Sequence, residues 1–318
     1  MKSSHIILFI SLTLCFTTIP METEKLHSIF VPAQNGYIPE NYAQKITFDE
    51  PIHAFNILHN PVKDDFGQNY CIADFKKQLD ETFPEKLPNL KLYGSSQGTA
   101  TLINWLADQP IEMQNKVKCL ILESVIGSGN NAIVHTCENL VKPIGYLPFA
   151  HYWLPICAKI CFPHYNPLGK QALNSAKKLP NNLPIIIMHA ITDPQLSIND
   201  ARELYCTLRE KGNDNIYLFE INTDQPVHSD ILRFETNMNR HQQNYSALQH
   251  IFEKYNLPYN KKIKNELRVN LKNYQPNTQE VKNKIKKNTE VGNFIKKSIN
   301  TFTGLAAASY LYSFFSAY

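Results

Sequence analysis

Apolar residues along this chain fall into short, mostly apolar runs that alternate with stretches of helical spacing. Leu90 to Tyr93, Val117 to Leu122, Leu183 to Met188 and Ile216 to Ile221 are runs of strand length, rich in branched and aromatic residues. Such runs suit strands buried on both faces. Between and after them, Ile72, Phe75 and Leu79 recur at helical spacing, as do Ala100, Ile103 and Ala107, and Ala201, Leu204, Tyr205 and Leu208. Leu248, Ile251, Phe252 and Tyr255 close the series at i, i+3, i+4, i+7. Phe83-Pro84 stops the first of these helices and Gly212 the third. The alternation predicts an α/β fold: a mostly parallel sheet flanked by helices. Shorter strand-like pieces lie earlier, at Ile29 to Val31 and Ile46 to Phe48, and Ile52 to Asn60 reads as a buried strand running into a loop.

Three segments break this rhythm. Residues 1–20 carry Lys2 followed by an uncharged apolar run from Ile6 to Ile19, the pattern of a signal peptide or of an uncleaved N-terminal anchor. Residues 125–180 are dense in aromatics and prolines, including Tyr146, Pro148, Tyr152, Trp153, Pro155 and Phe162. From 259 onward the chain is rich in Lys and Asn, then ends in an uncharged stretch, 298–318, with Phe302, Tyr310, Leu311, Phe314 and Phe315. That stretch reads either as a surface-associating segment, giving membrane-surface contact, or as a helix packed on its own domain. The expected organisation is therefore a leader or anchor over 1–20, a catalytic-size domain over 26–258, and a Lys-rich extension over 259–318.

Composition narrows the class. With 43% hydrophobic and 19% charged residues, the chain is an ordinary globular one. Its net charge of +4 comes largely from the lysines of 261–297, leaving the central domain near neutral and giving no reason to expect nucleic acid as a partner. An exported chain could pair its six cysteines beyond Cys15, although spacing fixes no pairing; Cys119, inside an apolar run, reads as a buried free thiol. His151, Cys157, Cys161 and His164 could ligate metal one by one, but their spacing matches no zinc pattern.

The chemistry centres on Gly94-Ser95-Ser96-Gln97-Gly98, which fits G-x-S-x-G at the junction of a strand and a helix. A serine at such a turn sits in a strained backbone, so positions two before and two after must be nearly free of side chain. Gly94 and Gly98 meet that demand in a chain with only 11 glycines. The Gln97 N–H, at the helix start, would point at an oxyanion formed on attack by Ser96. In this segment the sequence resembles the α/β-hydrolase superfamily. The resemblance extends to Met188-His189-Ala190-Ile191-Thr192-Asp193, similar to the family's H-G-x-x-D with alanine for glycine, and to His228 in the loop after the last core strand. The order Ser96, Asp193, His228 matches that of the fold. Asp224 and Asp230 lie too close to His228 to reach the far side of its ring easily, and Asp200 suits a helix start.

The resemblance implies a cap inserted at 125–180, either closing over an acyl or aromatic substrate or simply packing on the domain. It also implies a second oxyanion donor after the Ile52–Leu58 run, where the family commonly has His-Gly. This chain has His59-Asn60-Pro61; proline has no N–H, so Asn60 or Val62 would serve. The implied activity is that of a serine hydrolase, most plausibly of carboxylic esters, needing no cofactor or metal. A serine peptidase would reuse the same residues on an amide, and an inactive binding protein would keep the fold alone.

Overall fold

The buried runs become one six-stranded sheet in which every neighbouring pair is parallel. In chain order the strands are β1 (Leu26–Val31), β2 (Ile52–Ala54), β3 (Asn89–Ser95), β4 (Val117–Glu123), β5 (Ile185–Ala190) and β6 (Ile216–Ile221). They lie side by side as β2-β1-β3-β4-β5-β6. The computed structural model describes residues 26–32, 52–55, 65–140, 150–160, 162–228, 231, 237–259 and 267–290. The N-terminal apolar segment, Cys15, the piece at 46–48, His59, Asn60, Cys161 and the apolar tail lie outside them.

The pleat sorts each strand's side chains into two cores. On one face Ile29, Val31, Leu90, Leu92, Leu120, Leu122, Ile185, Ile187 and Leu218 meet α1 (Asn69–Thr82), α2 (Gln97–Ala107) and, beyond the short α3 (Ile111–Gln114), later helices of the chain. On the other, Phe30, Tyr93, Ile121, Ile186, Met188, Tyr217 and Phe219 meet a single long helix near the C-terminus. Every residue of α2 is buried, because it crosses the middle of the sheet under the insert.

The insert between β4 and β5 is less uniform than its sequence suggests. It holds α4 (Gly129–Leu140), α5 (Ala150–Cys157) and α6 (Ala172–Ala176). Ile133, Leu154 and Tyr165 form a small cluster of their own with Phe66, Trp153 and Phe162 packed against it, whereas Ala172 and Ala176 of α6 belong to the main core. α6 thus packs on the sheet's own core and not on this separate cluster. α7 (Ile198–Glu210) covers the first face and α8 (Met238–Lys254) the second.

β1, from the Ile29–Val31 piece, lies inside the sheet, and β2, from the longer-looking run, is the outer strand among the described residues. The described part of the Lys-rich extension packs against the sheet and its helices. Residues 267–290, ending in α9 (residues 278–290), lie across β6, α7 and α8. Tyr205 donates to the Pro276 carbonyl at 2.7 Å, and Tyr274 donates to Asn244 at 3.0 Å and lies tilted against Phe219 with centroids 4.3 Å apart. Lys284 joins Glu220 at 3.1 Å, and Glu220 also takes Arg202 at 2.7 Å. Val281 is fully buried in the main core, with Ile285 packed against it. Val281→Asp should therefore cost about 3–5 kcal/mol, the penalty of an unpartnered buried carboxylate, read as a lowered midpoint in chemical denaturation. A loss below about 0.5 kcal/mol, the range of surface changes, would mean the extension is not docked in solution.

Candidate active site

The elbow forms where β3 ends. Ser96 takes φ +52° and ψ −118°, outside the ordinary range of residues with a Cβ, and starts α2. Gly94 and Gly98 are needed for contact: a Cβ on Gly94 would lie 2.8 Å from the Gly98 carbonyl, and one on Gly98 would lie 2.2 Å from the Val31 oxygen. The turn is held by the Ser96 N–H to the Glu123 carbonyl (2.8 Å) and by Thr99, whose N–H and hydroxyl both donate to the Ser96 carbonyl (2.9 and 2.6 Å). Gln97 is the first residue of α2, where an N–H has no carbonyl one turn back. Its side chain turns away and donates to the Cys71 sulfur at 2.9 Å.

The structure brings Ser96, His228 and Asp193 together. His228 Nε2 lies 2.8 Å from Ser96 Oγ, and His228 Nδ1 lies 3.0 Å from each Asp193 oxygen. An ionised Asp193 accepts a hydrogen bond from Nδ1–H, which keeps the proton on Nδ1 and leaves the Nε2 lone pair facing the serine hydroxyl. Asp193 Oδ1 also accepts the N–H groups of Gln195 (2.8 Å) and Leu196 (2.9 Å). Burial alone would raise the Asp193 carboxyl; the bond and charge of His228, with His189 and the Leu196 N–H, outweigh it and hold the group below its ordinary value. Ser96 and Asp193 are buried, and the His228 side chain is 15% exposed, open enough to meet a ligand.

The expected second oxyanion residue, Asn60, is outside the described residues. The strand leading toward it is the outer one, and the end of β1 abuts the elbow instead, through the Val31–Gly98 contact. Asp200 stands in the first turn of α7, the helix start expected of it, behind the Ser197 cap. Its carboxylate also accepts the N–H groups of Gly127 (2.9 Å) and Ser128 (3.2 Å) and the Asn131 amide (3.0 Å), fastening the beginning of the insert. Among the described residues no cluster could hold a metal ion, no helix is long and apolar enough to cross a membrane, and Cys119, Cys137, Cys157 and Cys206 are free thiols. Cys157 is exposed rather than packed, and burial pushes the Cys119 thiol up to about 12.

The sequence marks His189 only as the first position of the segment similar to H-G-x-x-D. It is fully buried on β5; its Nδ1 accepts the Val125 N–H at 3.0 Å, so its proton sits on Nε2, facing the Leu196 carbonyl at 3.3 Å. Burial lowers its pKa to about 4, against a smaller raising effect of Asp193, whose Oδ2 is 3.7 Å away. That contact is accordingly not an ion pair at neutral pH. Below pH ~6.5 the unfolded chain takes up a proton that the folded one refuses until near pH 4. Stability should thus fall as pH drops through this window. The fall should shrink by about 3 kcal/mol in His189→Gln, measured by urea denaturation between the two pH limits.

A serine on a strained strand-to-helix turn, an aspartate after β5 and a histidine after β6, on a parallel sheet, define the α/β-hydrolase fold. Among solved structures similar to this chain, an esterase of Pyrococcus furiosus, Pf2001, has a TM-score of 0.47 at 17% identity, over 73% of this chain and 83% of that one. An acylaminoacyl peptidase of Pyrococcus horikoshii gives 0.44 at 15%, over 74% of this chain and 38% of that one. The esterase domain of a Rhodothermus marinus protein gives 0.42 at 11%, over 76% and 90%. No protein-family model and no curated sequence matches this chain.

Proposed function

We propose that this chain is a serine hydrolase of acyl groups, acting on carboxylic esters. The observation that carries this reading is the continuous chain of contacts from Ser96 Oγ through the His228 ring to Asp193, at 2.8 and 3.0 Å. Ser96 Oγ attacks the ester carbonyl carbon while its proton moves to His228 Nε2, and the carbonyl π pair moves onto oxygen. The Gln97 N–H faces that oxyanion. Collapse of the tetrahedral adduct re-forms the C=O bond and expels the alkoxide, which takes the proton from Nε2. Water then repeats the sequence on the acyl-enzyme, returning the acid and free Ser96. Asp193, held ionised, fixes the ring tautomer and stabilises the imidazolium.

A fluorophosphonate probe tests the reading directly, because it phosphonylates only a serine activated by its base. Folded wild-type protein should label, and His228→Ala should not. Absence of labelling in folded wild type would leave a hydrolase fold serving as a binding protein. Matched ester and amide substrates then separate esterase from peptidase: turnover of the amide at a rate comparable to the ester would favour the peptidase reading.

A further inference from the structure

We propose that Glu123 and Ser124, at the end of β4, are positioning residues for the base: they act through the loop that carries His228 to set the imidazole against Ser96. The inference rests on the hydrolase reading above. His228 lies beyond the end of β6, outside any strand or helix, so neither ladder nor helical hydrogen bonds fix where its ring points. Two consecutive side chains restrain its main chain. The Ser124 hydroxyl donates to the carbonyl of His228 itself. The Glu123 carboxylate accepts the Ile231 N–H at 2.8 Å on one oxygen and the Tyr93 hydroxyl at 2.6 Å on the other. The base is thereby gripped at its own residue and three residues further on.

The same two residues hold the other segments of the site by their main chains. The Glu123 carbonyl accepts the Ser96 N–H at 2.8 Å, and the Ser124 N–H donates to the Met188 carbonyl of β5 at 2.9 Å. Nucleophile turn, acid strand and base loop thus share one anchor, and the 2.8 Å gap between Oγ and Nε2 is measured across it.

Residue choice argues for this role. Ser124 has φ +51°, a conformation that glycine adopts without strain. Glycine would suit the backbone, but it could not donate to His228. Glu123 is fully buried, where an apolar side chain would be the cheaper occupant; what the carboxylate adds is a pair of acceptors aimed at the base loop and at the elbow strand. Strained and buried polar residues kept beside reacting groups mark geometry held for function.

The test measures the rate constant for fluorophosphonate labelling, kcat and KM on an ester, and the melting temperature of wild type, Ser124→Ala, Ser124→Gly, Glu123→Gln and Glu123→Ala. Both Ser124 variants should label about 10–100-fold more slowly, with kcat falling in parallel and KM within about threefold of wild type. Ser124→Gly should melt no lower than Ser124→Ala, so that its loss of rate cannot be a loss of fold. Glu123→Gln, which keeps an acceptor for Ile231, should retain more activity than Glu123→Ala. A Ser124→Gly variant that labels within about twofold of wild type overturns the proposal. So do rate losses that follow melting temperature across the set. If Glu123→Ala does not fold, the two Ser124 variants decide. A wild type that does not label at all defeats the hydrolase reading and this one with it, whereas a reactive wild type beside a reactive Ser124→Gly defeats this one alone.

Discussion

Replacing Ser96 with alanine is expected to lower kcat for ester hydrolysis by about 10⁴- to 10⁶-fold while leaving the melting temperature nearly unchanged. The hydroxyl is the nucleophile, so its removal leaves only the oxyanion donor and substrate binding. Those cannot replace the covalent step. The backbone at residue 96 would keep its positive φ with alanine as with serine. Ser96→Gly separates the two properties. It should be equally inactive yet more stable by about 1 kcal/mol, since glycine occupies this conformation without a Cβ clash. Activity assays with a matched urea denaturation series test both. An active Ser96→Ala would sink the assignment of the nucleophile.

Gly98→Ala is expected to lower activity strongly, though far less than loss of the nucleophile, without touching a reacting group. The new Cβ would lie 2.2 Å from the Val31 oxygen and 2.9 Å from the Val31 carbonyl carbon, so main chain must move. Either β1 shifts within the sheet or the first turn of α2 lifts away, taking the Gln97 N–H and Ser96 with it. A displacement near 1 Å at the reacting atoms costs about 100-fold in rate, and overpacking of this kind costs about 1–3 kcal/mol in stability. Gly212→Ala is the matching control. Gly212 has φ +100°, but a Cβ there would come no closer than 3.7 Å to a neighbour, the Asn181 amide nitrogen. It should lose about 1 kcal/mol from backbone strain and no activity. Equal losses of activity in both variants would mean that the Gly98–Val31 contact is not what holds the elbow.

Much of the fold is legible in the chain because the central strands are buried on both faces and so read as runs in which apolar residues dominate. Val117–Glu123 and Ile216–Ile221 are strands over the residues the pattern marks. The three residues found in contact are each legible for a local reason. Ser96 stands between two glycines, Asp193 follows a buried run, and His228 follows the last one. Position in the sheet is less accessible. Leu26–Val31 and Ile52–Asn60 both look like strands, and nothing in either tells which one lies inside, since parallel neighbours are joined by long crossovers that leave no local signature. Glu123 and Ser124 are silent for another reason. A glutamate and a serine after an apolar run look like an ordinary exit to solvent, and only the third dimension shows that the exit is buried. The extension misleads through composition. Its docking uses Tyr274, Gln275, Lys284 and the main chain around Pro276, and its apolar anchors, Val269, Leu271, Val281 and Ile285, are scattered singly among polar residues, so that it resembles a solvated tail.

That docked extension bears on what the protein can be cut down to. β6 ends the sheet among the described residues, and Gln275 donates to the Ile216 carbonyl of that strand at 3.2 Å while Tyr274 lies over Phe219. A chain ended at 258, where composition suggests the domain stops, would keep Ser96, Asp193 and His228 but bare one side of a strand to other molecules. Uncovered strand edges recruit one another. The first symptom of such a truncation would therefore be self-association during purification, at a stage when the soluble remainder still reacts with its probe.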